Sequence, residues 1–347
     1  MGNDTNTLDE AALGPYLARK IDGFGTLRSV EKFSGGQSNP TYRLVTDTGQ
    51  FVLRAKPPGE LLKSAHQVDR EYRVMKALHE TNVPVPKMLH LSEEGGPIGR
   101  MFFVMELLDG RILWDPALTE LPKEANAERG EIYDSMNKAL AALHSVVPEE
   151  VGLEDFGVAG NYFERQISRW TKQYHASEID HVENMHLLMA YLENEMPNDD
   201  GVASLVHGDY RLDNMVFDND SARILGVLDW ELSTLGHPLG DIAYQCMQWR
   251  LPNAGSFRGL AGVDRNAIGI PSEQEYVARY CERRGIEKIN NWKFYLAFSF
   301  FRLGAILQGV YKRSLDGNAS NPEKAKLYGA AVPVLASLAM TMVREED

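Results

Sequence analysis

Cysteine is scarce in this chain, because Cys246 and Cys281 are the two cysteines among its 347 residues. Two thiols cannot build a disulfide framework, and neither lies in a C-x-x-C pair of the kind that holds zinc or carries redox chemistry. Positive charge is also in deficit, since 36 Lys and Arg face 49 Asp and Glu for a formal net charge of -13. Nucleic-acid binding draws on clustered Lys and Arg, so the composition argues against a nucleic-acid partner.

Long apolar runs are missing as well. We find no apolar run that approaches the ~20 residues that a membrane span requires. The first residues, MGNDTNTLDE, lack the basic, apolar and cleavage regions of a signal peptide. We therefore expect a cytoplasmic protein without a membrane partner, and the sequence leaves its oligomeric state open. The 44% of hydrophobic residues can fill a large core, either in two domains or in one bilobed domain.

Strand patterns dominate up to about residue 109. Alternating or continuous apolar segments predict about five antiparallel strands at 28–33, 42–46, 50–55, 87–91 and 101–108. Asp47, Thr48 and Gly49 form a hairpin-turn signal between two of them. Residues 65–81 predict one helix, with Val68, Tyr72, Met75 and Leu78 on a single face.

Helical patterns dominate after Gly110, including amphipathic segments around 132–147 and 179–196 and several more from 272 to 342. The sequence thus predicts an α+β protein with an N-terminal lobe at 1–109 and a larger, mainly helical C-terminal lobe at 110–347. On the predicted helix 179–196, His181 and His186 are five residues apart. At that spacing their side chains point to different faces, which argues against a zinc site.

Polar chemistry interrupts the apolar stretch LVHGDYRLDNMVF at residues 205–217. Asp209 precedes Asn214 by five residues, and Asp229 follows fifteen residues later at the end of the apolar run ILGVLD. Protein kinases use this order and spacing for a catalytic Asp and two metal ligands. Phosphoryl transfer needs a carboxylate that accepts the acceptor's proton, and Mg²⁺ prefers oxygen ligands such as Asp and Asn. We assign Asp209 as the base and Asn214 and Asp229 as metal ligands, although Asp and Asn in turns often only bond their own backbone.

The N-terminal half supplies further parts in the same linear order. Gly35 and Gly36, in FSGGQSNPTYRL, lie between two strands, where a backbone without Cβ approaches phosphates closely. Arg54 on a strand and Glu71 on the following helix match a cation–carboxylate pair that grips the α- and β-phosphates. Asp109 and Gly110 follow an apolar strand and form a suitable hinge. Each feature alone also fits an ordinary turn or surface charge.

The combined run resembles the aminoglycoside phosphotransferase and choline kinase superfamily, whose fold is protein-kinase-like. The segments HGDYRLDN and LDWE are the most specific, and the resemblance extends over roughly residues 10 to 340. The branch that it resembles most is the kinase-like domain fused to some acyl-CoA dehydrogenases. This resemblance implies ATP and Mg²⁺ as cofactors, with the choice between ATP and GTP left open.

Residue roles follow from the resemblance position by position. It implies Asp209 as the catalytic base and Asn214 and Asp229 as magnesium ligands. It also implies that Asp241 steadies the catalytic loop. The nucleotide-binding positions are Gly35, Gly36, Ser38, Arg54 and Glu71, with the backbone of Glu106 and Leu108 at the adenine. Arg54 departs from the protein-kinase pattern, in which lysine is usual, and Lys56 on the same strand face is a candidate to assist.

The resemblance implies a small hydroxylated molecule as the acceptor, and charge gives a preference among such acceptors. Residues 270–330 hold ten Lys and Arg against six Asp and Glu, which favours an anionic acceptor over a cationic aminoglycoside. The cations that we assign to this acceptor side are Arg279, Arg283, Arg284, Lys288, Arg302, Lys312 and Arg313. A hydroxyacyl-CoA is the first acceptor to test; a solvated helix face is the alternative explanation of these cations.

Other functions stay open at this point. They are an aminoglycoside, choline or sugar phosphotransferase, and a noncatalytic pseudokinase that binds nucleotide. A dehydrogenase is disfavoured, because no G-x-G-x-x-G follows an early strand and the kinase-like pattern uses nearly the whole chain.

Overall fold

The computed structural model describes residues 8–33, 39–58, 67–94, 96–254, 257–317 and 322–345. The strands are β1 Leu27–Lys32, β2 Thr41–Thr46, β3 Gln50–Ala55, β4 Met88–Ser92, β5 Phe102–Glu106, β6 Ser204–Val206, β7 Met215–Phe217, β8 Ile224–Val227 and β9 Thr234–Gly236. The α-helices are α1 Glu10–Lys20, α2 Val68–Leu78, α3 Asn126–His144, α4 Tyr162–Ser177, α5 Glu183–Asn194, α6 Leu239–Cys246, α7 Glu273–Arg284, α8 Trp292–Leu315 and α9 Pro322–Arg344.

The chain divides into two compact units. The first comprises Met1–Arg111, Met215–Asn219 and Ile224–Ser233, and the second comprises Ile112–Asn214, Asp220–Arg223 and Thr234–Asp347. This division differs from a single cut after residue 109, because the β7–β8 hairpin joins the first unit. The hairpin binds there through two backbone hydrogen bonds between Arg111 and Phe217, both 2.8 Å.

Gly110 allows the backbone at this junction to approach the hairpin closely. A Cβ at position 110 would lie 2.2 Å from the Phe217 carbonyl oxygen, a distance that no side-chain carbon tolerates. The glycine that the sequence marks as a hinge is therefore required by packing within the first unit.

An antiparallel sheet of order β1-β2-β3-β5-β4 forms the centre of the first unit, as the sequence predicts. Strand β2 shows why these residues form a sheet, since Tyr42, Leu44 and Thr46 are buried in strict alternation. The predicted hairpin turn is present between β2 and β3, with the Thr46 N–H donating to the Gly49 carbonyl at 2.9 Å. These findings confirm the predicted five-stranded antiparallel sheet.

Helix α1 packs on this sheet, although no sequence signal that we used predicts it. Leu13 and Leu17 join the same buried cluster as Phe102 and Val104. The helix is capped by Asp9, whose carboxylate accepts the Ala12 N–H at 3.1 Å. Its interior Pro15 is an unfavourable signal for a helix, which explains why the pattern is hard to recognise.

Helix α2 forms where the sequence predicts a helix, but the set of buried residues differs from the predicted one. Val68, Met75 and Leu78 are buried as expected, but Glu71 is buried with them while Tyr72 is half-buried. A carboxylate thus lies among apolar side chains, which requires polar partners close by.

Helices make up most of the second unit, which confirms the predicted helical half and with it the α+β class. Strands β6 and β9 pair with each other, and α8 packs against α4, α6 and α9. Among the described residues, α8 and α9 contain segments long and apolar enough to cross a membrane, of which 72% and 39% are buried within the fold. The expectation that no apolar segment approaches this length is therefore wrong, because the few charges in these helices lie at intervals that still leave long apolar windows.

Candidate active site

The catalytic-loop motif begins where a buried strand ends. All three residues of β6 are buried, and Leu205 pairs with Leu235 of β9. Residues 207–211 then leave the sheet and lead into a short 3₁₀ turn, Leu212–Asn214. A short strand therefore delivers a polar loop from the core of the second unit.

Asp241 of α6 holds the start of this loop. Its carboxylate, 1% exposed, accepts the backbone N–H of His207 at 2.6 Å and that of Gly208 at 2.9 Å. The Nε2 atom of His144 lies 3.4 Å from the same carboxylate, and Tyr280 bonds the other ring nitrogen at 2.7 Å. Gly208 has φ +83, which a glycine adopts without strain.

The charge of Asp241 is stabilised by these donors. Burial alone would raise the pKa of its carboxyl group, but the bonds and charges from His144 and His207 outweigh burial and lower it. Asp241 is therefore ionised at neutral pH and binds the loop as an anion, in the role that the resemblance implies.

Asp209, the expected base, is positioned by three groups of the same unit. The Tyr244 hydroxyl donates to Oδ1 at 2.7 Å, and the Asn214 amide donates to Oδ2 at 3.0 Å. The Asp209 N–H donates to Nδ1 of His207 at 3.1 Å. Because that nitrogen accepts, a neutral His207 carries its proton on Nε2, and the ring acts as a support for the loop.

The pKa of Asp209 lies below its ordinary value. Burial would raise this pKa, but the charge of Arg211 and the hydrogen bonds from Tyr244 and Asn214 outweigh burial and lower it. The carboxylate is therefore available as a proton acceptor near neutral pH.

Arg302 does not lie on an exposed basic surface, where the sequence predicts it. It is buried and donates to the Gly208 carbonyl at 2.7 Å. The assignment of Arg302 to an acceptor-facing basic surface is wrong, because α8 buries this face of the helix against the catalytic loop.

Several other cations of the basic tail are also paired within the second unit. Arg283 binds Asp134 at 2.6 Å, Arg279 lies 3.6 Å from the same carboxylate, and Lys312 binds Asp316 at 2.6 Å. Lys288 and Arg313 are exposed. The cationic character of this segment is thus smaller than its composition suggests.

In the first unit, Arg54 brings two carboxylates together. Its Nε atom lies 3.0 Å from Glu71, and its Nη2 atom donates to Oδ1 of Asp229 at 2.6 Å. Asn39 completes the surroundings of Glu71 with a 2.9 Å bond from its amide nitrogen. The ion pair between Arg54 and Glu71 that the sequence predicts is present.

Burial and the neighbouring charges change the pKa values of both Glu71 and Arg54. Burial raises the pKa of Glu71, and the neighbouring carboxylates Asp229 and Glu231 add to that rise. Burial would lower the pKa of Arg54, but the three carboxylates hold it above its ordinary value. Arg54 is the cation on which the charge of Glu71 depends.

Asp229 follows β8 in a strained conformation. It has φ +65 and ψ +60, a left-handed backbone that costs a non-glycine residue about 1 kcal/mol or more. The next residue, Trp230, fixes the turn because its buried indole donates to the Val227 carbonyl at 2.9 Å. This turn leaves the Asp229 carboxylate about one third exposed.

Asn214 in the second unit and Asp229 in the first unit each present an oxygen of the kind that suits a magnesium ion. The Asn214 amide nitrogen donates to Asp209, and among the described residues its oxygen has no hydrogen-bond partner. Arg54 binds one oxygen of Asp229, and within the same described ranges the other oxygen accepts no hydrogen bond. Amide and carboxylate oxygens are ligands that Mg²⁺ prefers.

The expected adenine positions differ in availability. The Glu106 N–H donates to the Lys87 carbonyl at 3.0 Å, and its side chain accepts the Lys87 N–H at 2.8 Å. The Leu108 N–H and carbonyl have no partner in the part of the chain that the structure describes. Leu108 is thus the better placed of the two to meet a base edge.

Gly35, Gly36 and Ser38 lie outside the described residues. On either side of them, β1 and β2 are joined at the Phe33 N–H, which donates to the Thr41 carbonyl at 3.0 Å. The pairing predicted for the flanking strands is therefore present.

Three contributors to the site were not assigned these contacts from the sequence. Tyr244 and Arg302 are 35 and 94 residues from their partners in the loop, so local spacing carries no signal for them. Asn39 offers a weak signal, an Asn directly before Pro40 at the end of the glycine-containing stretch.

Comparison with known proteins gives matches over most of the chain. A sequence profile of APH, described as the phosphotransferase enzyme family, matches residues 29–276. The mouse protein acyl-CoA dehydrogenase family member 10 (Mus musculus) is 46% identical over 344 residues, which cover 99% of this chain and 32% of that protein. The chain spans about one third of the length of this curated relative.

Solved structures give the same result. The structure of a candidate aminoglycoside phosphotransferase from Ralstonia eutropha JMP134 matches with a TM-score of 0.87 and 47% identity, covering 97% of this chain and 99% of that one. A thermostable mutant of aminoglycoside phosphotransferase APH(4)-Ia with ADP and hygromycin B matches with a TM-score of 0.63, covering 96% and 100% of the two chains. At 14% identity this second match shows the fold alone. Together the matches confirm the resemblance drawn from the sequence.

Asp241→Asn tests the anchoring of the loop. The amide keeps the shape but removes the charge and presents N–H donors to backbone N–H donors, so we expect a loss of about 3 kcal/mol in the free energy of unfolding at neutral pH. The folded-state pKa of Asp241 is lowered, so its contribution is present above the unfolded pKa of about 3.9 and lost as the pH falls through the folded pKa. The difference in the free energy of unfolding between wild type and variant, measured with urea, should therefore become smaller below about pH 4.

Asp69→Asn, at a partly exposed carboxylate, is the matched control and should change stability by less than about 0.5 kcal/mol. Equal stability of Asp241→Asn and wild type at pH 7 would show that the carboxylate does not hold the loop.

Arg54→Met and Glu71→Met test the buried ion pair in the first unit. Arg54→Met removes the cation that favours the ionised form of Glu71, so the buried carboxyl group takes up a proton and loses its partner, and we expect a loss of about 1–3 kcal/mol in urea unfolding at neutral pH. The double variant removes both charges and should be more stable than Arg54→Met alone. A double variant whose loss equals the sum of the two single losses would contradict this coupling.

Proposed function

Because this chain belongs to the APH phosphotransferase enzyme family, we propose that it transfers the γ-phosphoryl group of ATP to the hydroxyl group of a small molecule. The observation that carries this proposal is the state of Asp209. Its carboxylate is ionised, held by Tyr244 and Asn214, and mounted on a loop that Asp241 fixes. This is the arrangement that a base for hydroxyl activation requires.

Asp209 accepts the proton of the acceptor hydroxyl as that oxygen forms its bond to the γ-phosphorus. The bond between the γ-phosphorus and the β–γ bridging oxygen breaks, and ADP leaves with that oxygen. Because the pKa of Asp209 is low, the carboxylate orients the hydroxyl first and takes the proton late in the transfer. Tyr244 and Asn214 keep both carboxylate oxygens in place during this step.

Nucleotide binding is assigned to the remaining residues. Arg54, held by Glu71, would contact the α- and β-phosphates, and the stretch with Gly35, Gly36 and Ser38 keeps the phosphate-binding role that the family resemblance implies. The backbone at Glu106 and Leu108 meets the adenine. Asn214 and Asp229 would each offer an oxygen ligand to magnesium, and a bound magnesium ion would supply positive charge to the phosphate oxygens.

A hydroxyacyl-CoA is the acceptor that we propose. The mouse relative that contains a segment 46% identical to this chain carries the name of an acyl-CoA dehydrogenase family member. A hydroxyacyl-CoA offers a hydroxyl group on an anionic molecule, and the exposed cations Lys288 and Arg313 are suited to such a charge.

Two alternatives have specific support. The neighbour from Ralstonia eutropha is described as an aminoglycoside phosphotransferase candidate, which favours a cationic acceptor. The 2.6 Å bond between Arg54 and Asp229 occupies one oxygen of an expected metal ligand, which favours a nucleotide-binding protein without turnover.

A screen of acceptors for stimulated ADP release tests the proposal. Purified chain with ATP and Mg²⁺ is offered hydroxyacyl-CoAs, choline, sugars and kanamycin, and phosphorylated product is identified by mass spectrometry. We expect a hydroxyacyl-CoA to give the largest stimulation. Asp209→Asn should lower that rate by roughly 10²–10⁴-fold while ATP binding measured by calorimetry persists.

Asp213→Asn, four residues along the same loop, is the control and should retain activity. Phosphorylation of kanamycin in preference to every acyl-CoA would support the aminoglycoside alternative. ATP binding with no product from any acceptor would support the noncatalytic one, and undiminished turnover by Asp209→Asn would remove Asp209 from the role of base.

A further inference from the structure

A cluster of imidazoles and carboxylates lies where α4 connects to α5. His175 is in the last turn of α4, Glu178 caps that helix, and His186 is in the first turn of α5. Helix α5 begins at Glu183, so His181 precedes it. The expectation that His181 and His186 point to different faces is therefore wrong, because it assumed one helix through both residues.

The rings of His181 and His186 are stacked, with centroids 4.5 Å apart. Nε2 of His186 lies 2.7 Å from Oε1 of Glu178, and Nδ1 of His181 lies 3.7 Å from the same oxygen. One ligand atom from each of Glu178, His181 and His186 falls within 4.8 Å of the others. His175 stands 3.7 Å from the second oxygen of Glu178.

This donor set matches the chemistry of a borderline divalent cation. Zinc binds imidazole nitrogen and carboxylate oxygen at about 2.0–2.2 Å, which separates tetrahedral ligand atoms by roughly 3.4 Å. The separations of 2.7 and 3.7 Å around Oε1 of Glu178 lie on either side of that value. Side-chain rotation would bring the three ligand atoms, which all lie within 4.8 Å of one another, to bonding distance of one cation.

The second ring nitrogen of His181 is held by a carboxylate, as is typical of a metal-binding histidine. Its Nε2 atom lies 2.8 Å from Oε2 of Glu183, which leaves Nδ1 facing Glu178. Metal-binding histidines characteristically donate their second ring nitrogen to a carboxylate, which fixes the tautomer and raises ligand basicity.

Tyr174 supplies an independent observation beside the cluster. It is fully buried, its ring lies 6.1 Å from that of His186, and within the described ranges its hydroxyl has no hydrogen-bond partner. Burial, with the charge of Glu178, raises the pKa of Tyr174 to about 12. A buried hydroxyl without a partner costs free energy, and the charge of Glu178 is one of the two causes of its raised pKa.

We propose that Glu178, His181 and His186 bind one zinc-type divalent cation, with Glu183 orienting His181. Three protein ligands leave a fourth position for water or for His175. All of these side chains reach solvent, so the ion has access. The site would tie the end of α4 to the start of α5 and stabilise that connection.

Zinc titration of the full chain tests the site. We expect calorimetry with ZnCl₂ to show one ion per chain and a rise in the melting temperature. Co²⁺ should replace zinc and give the visible absorption of a nitrogen- and oxygen-ligated ion, whereas excess Mg²⁺ should not compete. His186→Asn and Glu178→Gln should abolish this binding, and Glu183→Gln should weaken it by about 10–100-fold.

His79→Asn, at an exposed histidine at the end of α2, is the matched control and should bind zinc as wild type does. Circular dichroism of each variant without metal separates lost binding from lost folding. Absence of stoichiometric zinc binding by wild type would overturn the site. Unchanged affinity in folded His186→Asn would do the same.

Discussion

A carboxylate that is 1% exposed needs hydrogen-bond donors around it, and Asp241 finds them in the backbone of the loop that carries Asp209. The same charge therefore stabilises α6 in the core and determines the path of the chain after β6. Arg302, from helix α8, also holds this loop by donating a hydrogen bond to the Gly208 carbonyl. Tyr244 and Asn214 then hold Asp209 in a fixed position, and its geometry depends on the charge of Asp241 through His207 and Gly208.

In the first unit a buried charge again needs partners, but here one cation binds two carboxylates. One guanidinium, Arg54, serves Glu71 and Asp229 with different nitrogen atoms. A planar fork suits this task, whereas a lysine offers a single nitrogen, so the departure from the usual lysine has a structural reason. The buried Glu71 makes Arg54 necessary for stability, and the partly exposed Asp229 keeps an oxygen for other chemistry. Stability and the proposed phosphate binding thus share one side chain.

Sequence spacing predicted what is local in the chain. The hairpin turn at Asp47 to Gly49 and the strands of the sheet follow from short-range chemistry, and both are present. Contacts between distant segments left no such signal, as Tyr244 and Arg302 show. His181 shows a second limit: a helix start misplaced by four residues turned a facing pair of histidines into an apparently divergent one. Composition likewise overstated the basic surface, because Asp134 neutralises cations that are far away in sequence.

Amide hydrogen exchange at His207 and Gly208 tests most directly whether Asp241 governs the loop. Both N–H groups donate to a buried charge, so we predict that they exchange only through unfolding of the whole second unit, as slowly as the most protected amides of α6. Exchange of these two amides through local opening, much faster than that of α6, would contradict the account.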